Sequence, residues 1–198
     1  MNEFYEAIKG FTDIPLALVA LVLGILSKRN KKEDWGDLFL LIFMTAIIGT
    51  AIHAFVLPEI LWRALWSVTF AGLFEIDYIF TKLFSNYLNS SVEFNVRRFR
   101  YLQLAFCLAA ILAVAGFGRK EMIIFVAYSF CCFAHLAKCA FMTSTVHKKA
   151  ILFISLPLLL MMQAFNTVIP YAVAIEHIAL TMILFVLYSI SRNKNEGT

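Results

Sequence analysis

The side chains best equipped for chemistry in this chain are ionisable groups set inside apolar runs: Asp13, His53, Arg63, Glu176 and His177, with the amides Gln163 and Asn166 nearby in the same kind of setting. An ionisable group in hydrocarbon costs about 2.5–3.5 kcal/mol even on a lenient scale, so each needs a partner, a cavity or a route to the interface. Imidazoles bind metals or carry protons near neutral pH, and a carboxylate beside them accepts or returns a proton. Thr50 and Thr181 lie three and four residues from His53 and His177, on the same helix faces if both segments are helical.

A second set is deeper in sequence terms: Glu75 and Asp77 in one run, His135 and Lys138 in another. Cys131, His135 and Cys139 fall four apart, one helix face with soft ligands for zinc or copper. Three such positions span about 12 Å along the axis, so only a neighbouring pair could share an ion. Lys138 and Asp77 are near enough to a run's end to snorkel.

The elements that must position these groups follow from composition. Hydrophobic residues are 62% and charged residues 15% of 198, with mean hydropathy +0.82, far from the usage of soluble domains. A span takes about 20 apolar residues. The runs predict an all-α polytopic membrane protein, one seven-helix domain over 1–198, with helices at about 13–27, 37–57, 59–80, 99–117, 121–142, 150–168 and 170–190. Thr12 or Asp13 is expected to cap the first helix, with Pro15 in its first turn. Pro58 and Pro170 mark tight turns, and Pro157 is expected to kink the sixth helix. Thr81 to Arg98 reads as an interfacial or solvated loop, in which Asn89-Ser90-Ser91 matches a glycosylation acceptor on the inner side, where it would stay unused. Ala105, Ala109 and Ala113 read as a packing stripe.

Lys and Arg set the orientation. Lys28, Arg29, Lys31, Lys32, Lys82, Arg97, Arg98, Arg100, Lys148, Lys149, Arg192 and Lys194 fall on one side, and Lys9, Arg119 and Lys120 on the other. The N-terminus is therefore expected outside and the C-terminus inside, and the acidic start before the first run argues against a cleaved signal peptide. The net charge of +4 sits beside the apolar runs, where lipid headgroups account for it, so nucleic acid is not an expected partner. The four cysteines lie in apolar runs and suggest no disulfide framework. Alternating helix direction brings Asp13, His53, Arg63, Gln163, Asn166, Glu176 and His177 to the outer third, as an outer pocket would. Adjacent Glu176 and His177 point about 100° apart, so both cannot face one small centre. A plainer reading pairs Glu176 with Arg63 and leaves Glu59 in water.

Seven compact helices, the Thr12-Asp13 start, Gly49-Thr50-Ala51-Ile52-His53-Ala54-Phe55 and Glu176-His177 resemble the membrane hydrolase superfamily of alkaline ceramidases and adiponectin/progestin receptors. The resemblance implies a zinc ion held by one histidine of an early helix and two of the last, whose bound water attacks a lipid amide. It makes His53 and His177 the metal ligands. The chain departs from that pattern: the positions four before and after His177 are Val173 and Thr181, and Gly49 stands where the family usually has serine. The family's zinc also lies toward the cytosol, so a third ligand would have to come from Glu176, Asp13 or Glu59.

Three functions remain open at the level of sequence. One is a metal-dependent hydrolase of lipid-like substrates, with His53 and His177 on zinc, Asp13 or Glu176 as acid/base, and Arg63, Gln163, Asn166 and Thr181 lining the substrate pocket. Another is a non-enzymatic carrier or sensor of a small ion or solute, responsive near the imidazole value of about 6.5. The third is a structural membrane subunit. Haem between His53 and His177 is a minor alternative, without a second pair, and a retinal protein is excluded because the last helix has no central lysine. Short loops point to a bacterial inner membrane.

Overall fold

The computed structural model describes residues 2–88, 92–117, 121–142 and 172–193. All regular structure among them is helical: α1 (Asn2–Arg29), α2 (Glu33–Ala54), α3 (Glu59–Leu88), α4 (Val96–Leu112), a π-helical turn (Ala113–Phe117), α5 (Glu121–Phe141) and α6 (Ala172–Asn193). The span expected at 150–168, with Pro157, lies outside the described residues, as do Gln163, Asn166 and the Asn89-Ser90-Ser91 acceptor. Among the described residues, four segments are long and apolar enough to cross a membrane: Phe11–Arg29, Glu33–Ala54, Val96–Gly116 and Ile123–Phe141. At 1.5 Å per residue, even 19 residues reach about 28 Å, close to the hydrocarbon thickness.

The helices look outward as lipid-solvated helices should. On α1, Phe11, Ile14, Leu18, Val22 and Ile25 form an exposed stripe three or four residues apart, and Tyr101, Leu104, Leu108 and Leu112 do the same on α4. Asp13, Thr69, Ser85, Gln103 and Ser129 are buried instead. In water this partition would be inverted. In a bilayer it is required, because polar groups find partners only within the protein.

The chain divides into two compact units, Met1–Pro58 with Met161–Thr198, and Glu59–Leu160. In the first, α1 and α2 form an antiparallel pair, joined by a tight turn in which Lys31 has φ 57°. Lys32 N–H donates to the Ser27 carbonyl and Lys31 N–H to Lys28, both at 2.9 Å, closing the carbonyls at the end of α1. Above the turn the two backbones nearly touch. A methyl on Gly24 would sit 2.9 Å from the Leu40 side chain, and one on Gly36 would sit 3.3 Å from the Gly24 carbonyl.

α1 corrects the expected helix start. It begins at Asn2, so Thr12 and Asp13 lie inside it and Pro15 is internal. No cap forms at Thr12 because its hydroxyl and the Asp13 carboxylate are used by α6, as described below. Pro15 brings no N–H to the Phe11 carbonyl, an interior loss the first turn would have avoided.

In the second unit, Phe70, Phe74, Ala110, Val114, Phe125, Tyr128 and Cys132 make the core. Phe74 lies edge-on to Phe125 at 5.4 Å and 5.1 Å from the Tyr128 ring. The alanine stripe is corrected in part here: Ala105 and Ala109 are exposed while Ala113 is buried, and Gln103, Ala110 and Val114 face inward. Gln103 decides the rotation of α4, since its amide must reach Glu75 and Arg100, and a polar anchor outranks small-residue packing in lipid. The expected loop from Thr81 is corrected as well, because α3 continues to Leu88 with Thr81, Leu83, Phe84, Ser85 and Leu88 buried.

Candidate functional site

In the first unit, the sequence-expected residues Asp13 and His177 meet. His177 enters from α6 with its ring 14% exposed, facing Asp13 of α1 at 7%. His177 Nε2 lies 3.2 Å from Asp13 Oδ1, and His177 Nδ1 lies 2.9 Å from Thr12 Oγ1. With the ring proton on Nε2, donated to the carboxylate, Nδ1 is free to accept the threonine hydroxyl. Two adjacent residues of α1 thus engage both nitrogens of a ring 165 positions away.

α2 closes the site. Asp13 Oδ2 approaches Gly49 so closely that a methyl there would be 2.9 Å from it. The missing side chain is what lets the carboxylate fit between the two helices. His53, one turn along α2, is an electrostatic neighbour of His177. Thr12, Asp13, His53 and His177, with Gly49 as the open wall, therefore share one region of this unit.

The other expected members have these contacts. Thr50 and Thr181 donate to the carbonyls of Ala46 and His177, at 3.0 and 2.7 Å, so both hydroxyls are used by their own helices. Arg63 belongs to the other unit, where Nε donates to Glu59 Oε1 at 3.1 Å and Nη1 donates to the Ala115 carbonyl of the π turn. Among the described residues its carboxylate partner is thus Glu59, one helical turn away, whose side chain is 73% exposed. The backbone of Glu176 lies in α6. Its side chain, like Gln163 and Asn166, is outside the described set.

The donor types at this site, two imidazoles and a carboxylate, suit zinc, but the arrangement does not. Each nitrogen of His177 is already bonded to Thr12 or Asp13, and a ligating nitrogen needs its lone pair for the metal. Among the described residues no three of His, Cys, Asp and Glu converge as a metal site. Zinc would require His177 to give up one of its α1 contacts.

The inner residues of the second unit also find partners. Glu75 Oε2 accepts from Arg100 Nη1 and from Gln103 Nε2, and the Arg100 guanidinium lies 3.9 Å over the Tyr78 ring. Ser129 Oγ donates to Asp77. His135 Nε2 is 2.9 Å from Ser85 Oγ and 3.5 Å from Cys139 Sγ, while Cys131 is exposed. These contacts tie α3, α4 and α5 together.

Sequence reasoning missed Thr12 as a partner of His177, reading it as a cap. The signal available was its position beside a buried aspartate. The chain matches no family model, no curated protein and no solved structure.

Proposed function

We propose that this membrane protein has seven spans, with its N-terminus outside, in a bacterial inner membrane, and that it hydrolyses a lipid-like ester or amide at Thr12, His177 and Asp13. The supporting observation is the hydroxyl–imidazole–carboxylate chain, in which both His177 nitrogens are engaged by neighbouring residues of α1. That order of groups activates a hydroxyl. As the Thr12 oxygen attacks the acyl carbon, its proton passes to His177 Nδ1, and Asp13 stabilises the resulting imidazolium through Nε2. The same proton then goes to the leaving amine or alcohol. Water, deprotonated by His177, releases the acid and restores Thr12. The distant resemblance to ceramidases and adiponectin/progestin receptors supports the substrate class, while the chemistry assigned here uses no metal.

The test is turnover of fluorogenic lipid esters and amides by purified protein, with element analysis of the same sample. Loss of a general base is worth about 10²–10⁴-fold, so His177→Ala should fall that far, while Thr12→Val removes the nucleophile and should abolish acyl-enzyme formation, with Thr12→Ser partly active. Stoichiometric zinc lost in His177→Ala would refute the metal-free mechanism.

One observation favours a second reading. A buried imidazole with both nitrogens satisfied is also how a protonation switch is built, and protonation would force the Thr12 hydroxyl to turn. A carrier of this kind predicts pH-dependent solute uptake into proteoliposomes, abolished in His177→Ala, with no lipid turnover.

A further inference from the structure

The first turn of α4 carries three arginines with different fates. Arg100 turns inward to Glu75 and the Tyr78 ring. Arg97 and Arg98 are exposed, and neither guanidinium pairs with a carboxylate among the described residues. Both line a shallow cavity, open at the surface, together with Asn95, Tyr101 and Leu102. Asn95 Oδ1 accepts the Arg98 N–H at 2.9 Å, so its amide N–H groups remain as donors beside the two guanidiniums. Glu93, two residues before Asn95, is exposed and is not one of the walls.

We infer that this cavity binds the phosphate headgroup of an anionic membrane lipid. Three features select that ligand. The apolar span begins at Val96, so the arginines lie at the level of the lipid phosphates. Guanidiniums are forked donors suited to phosphate oxygens. One turn deeper, Tyr101 and Leu102 offer apolar walls where the glycerol and first acyl carbons would lie, as expected of basic pockets at span ends. The positive end of α4 adds to the same potential. The site stands in the second unit and shares no residue with the Thr12–His177 centre.

The experiment uses the full chain in neutral detergent and native mass spectrometry with dioctanoyl phosphatidylglycerol against dioctanoyl phosphatidylcholine. Two arginines at a membrane surface correspond to about a thirtyfold preference for the anionic lipid. The double variant Arg97→Gln/Arg98→Gln should bring it below about threefold, while Arg97→Lys/Arg98→Lys should keep an intermediate preference because charge remains without the fork. Arg29→Gln/Lys31→Gln, an equally exposed basic pair at the α1–α2 turn, should leave the preference intact. Equal loss in that control would mean diffuse charge attraction and overturn the site. Inorganic phosphate in tenfold excess should not displace the lipid; displacement would assign the cavity to free phosphate and overturn the lipid reading. These readouts need no lipid turnover, so they fail or succeed separately from the hydrolase proposal.

Discussion

Replacing Gly49 with alanine adds one methyl where the structure has an oxygen. The new carbon would stand 2.9 Å from Asp13 Oδ2, inside normal contact distance, so the carboxylate must withdraw. It cannot do so freely, because Oδ1 is held 3.2 Å from His177 Nε2 and the side chain is only 7% exposed. Overpacking of this kind costs about 1–3 kcal/mol, of which a weakened bond between buried polar partners accounts for about 1 kcal/mol. We expect Gly49→Ala to lower stability in detergent by about 1–3 kcal/mol and to reduce activity in parallel with Asp13→Asn. The decisive assay is a double-mutant cycle with Asp13→Ala, which removes the atom that is struck. If the methyl acts through Asp13, its cost should nearly vanish in that background, giving a coupling of about 1–3 kcal/mol. An unchanged cost, or a coupling within about 0.3 kcal/mol of zero, would refute the argument that Gly49 is the wall of the site.

Three further outcomes follow from the packing. Lys31→Gly should be neutral or stabilising by up to about 1 kcal/mol in thermal denaturation, because glycine accepts φ 57° without strain; a clear loss would mean that the lysine side chain matters more than the turn. Glu75→Ala should cost about 1–2 kcal/mol, since Gln103 loses the acceptor of its amide N–H and Arg100 keeps only Gln103 Oε1, at 2.7 Å; a full buried-pair value is not expected, because the Arg100 and Glu75 side chains are 40% and 31% exposed. A cycle with Arg100→Ala should show coupling, whereas additivity would mean that the pair is held by its surroundings. Phe74→Ala should cost about 3–5 kcal/mol, the range for a fully buried aromatic, read as a fall in the temperature at which the detergent-solubilised protein aggregates.

The helices were legible in the sequence because twenty-residue apolar runs admit few other structures in lipid. Asp13 and His177 were legible as groups in need of partners, and depth alone placed them at one level. What depth could not supply was rotation. The alanines at 105 and 109 look like an interface, yet Gln103 turns α4 so that they face outward. Arg63 looked in need of a partner from another helix, and Glu59, one turn away on the same helix, reaches it without any tertiary condition. The extension of α3 to Leu88 was hidden because Lys82, Ser85 and Asn86 look like a loop, although Phe84, Ser85 and Leu88 are buried. Thr12 was hidden by its own chemistry, since Thr-Asp before proline is also a good cap.

The threonines show why Thr12 stands out. In a helix solvated by lipid, a hydroxyl is most simply satisfied by the carbonyl one turn back. Thr45, Thr50, Thr69, Thr81 and Thr181 all do this, donating to Leu41, Ala46, Leu65, Asp77 and His177 at 2.6–3.0 Å. Such a hydroxyl is bound by its own backbone and is a poor nucleophile. The Thr12 hydroxyl has a partner outside its own helix, lying 2.9 Å from an imidazole of α6, which in turn faces a carboxylate. The residue beside it, Asp13, is held in place by the absence of a side chain on Gly49. Of these threonines, Thr12 is the one whose hydroxyl reaches an imidazole of another helix, and that contact gives its proton somewhere to go.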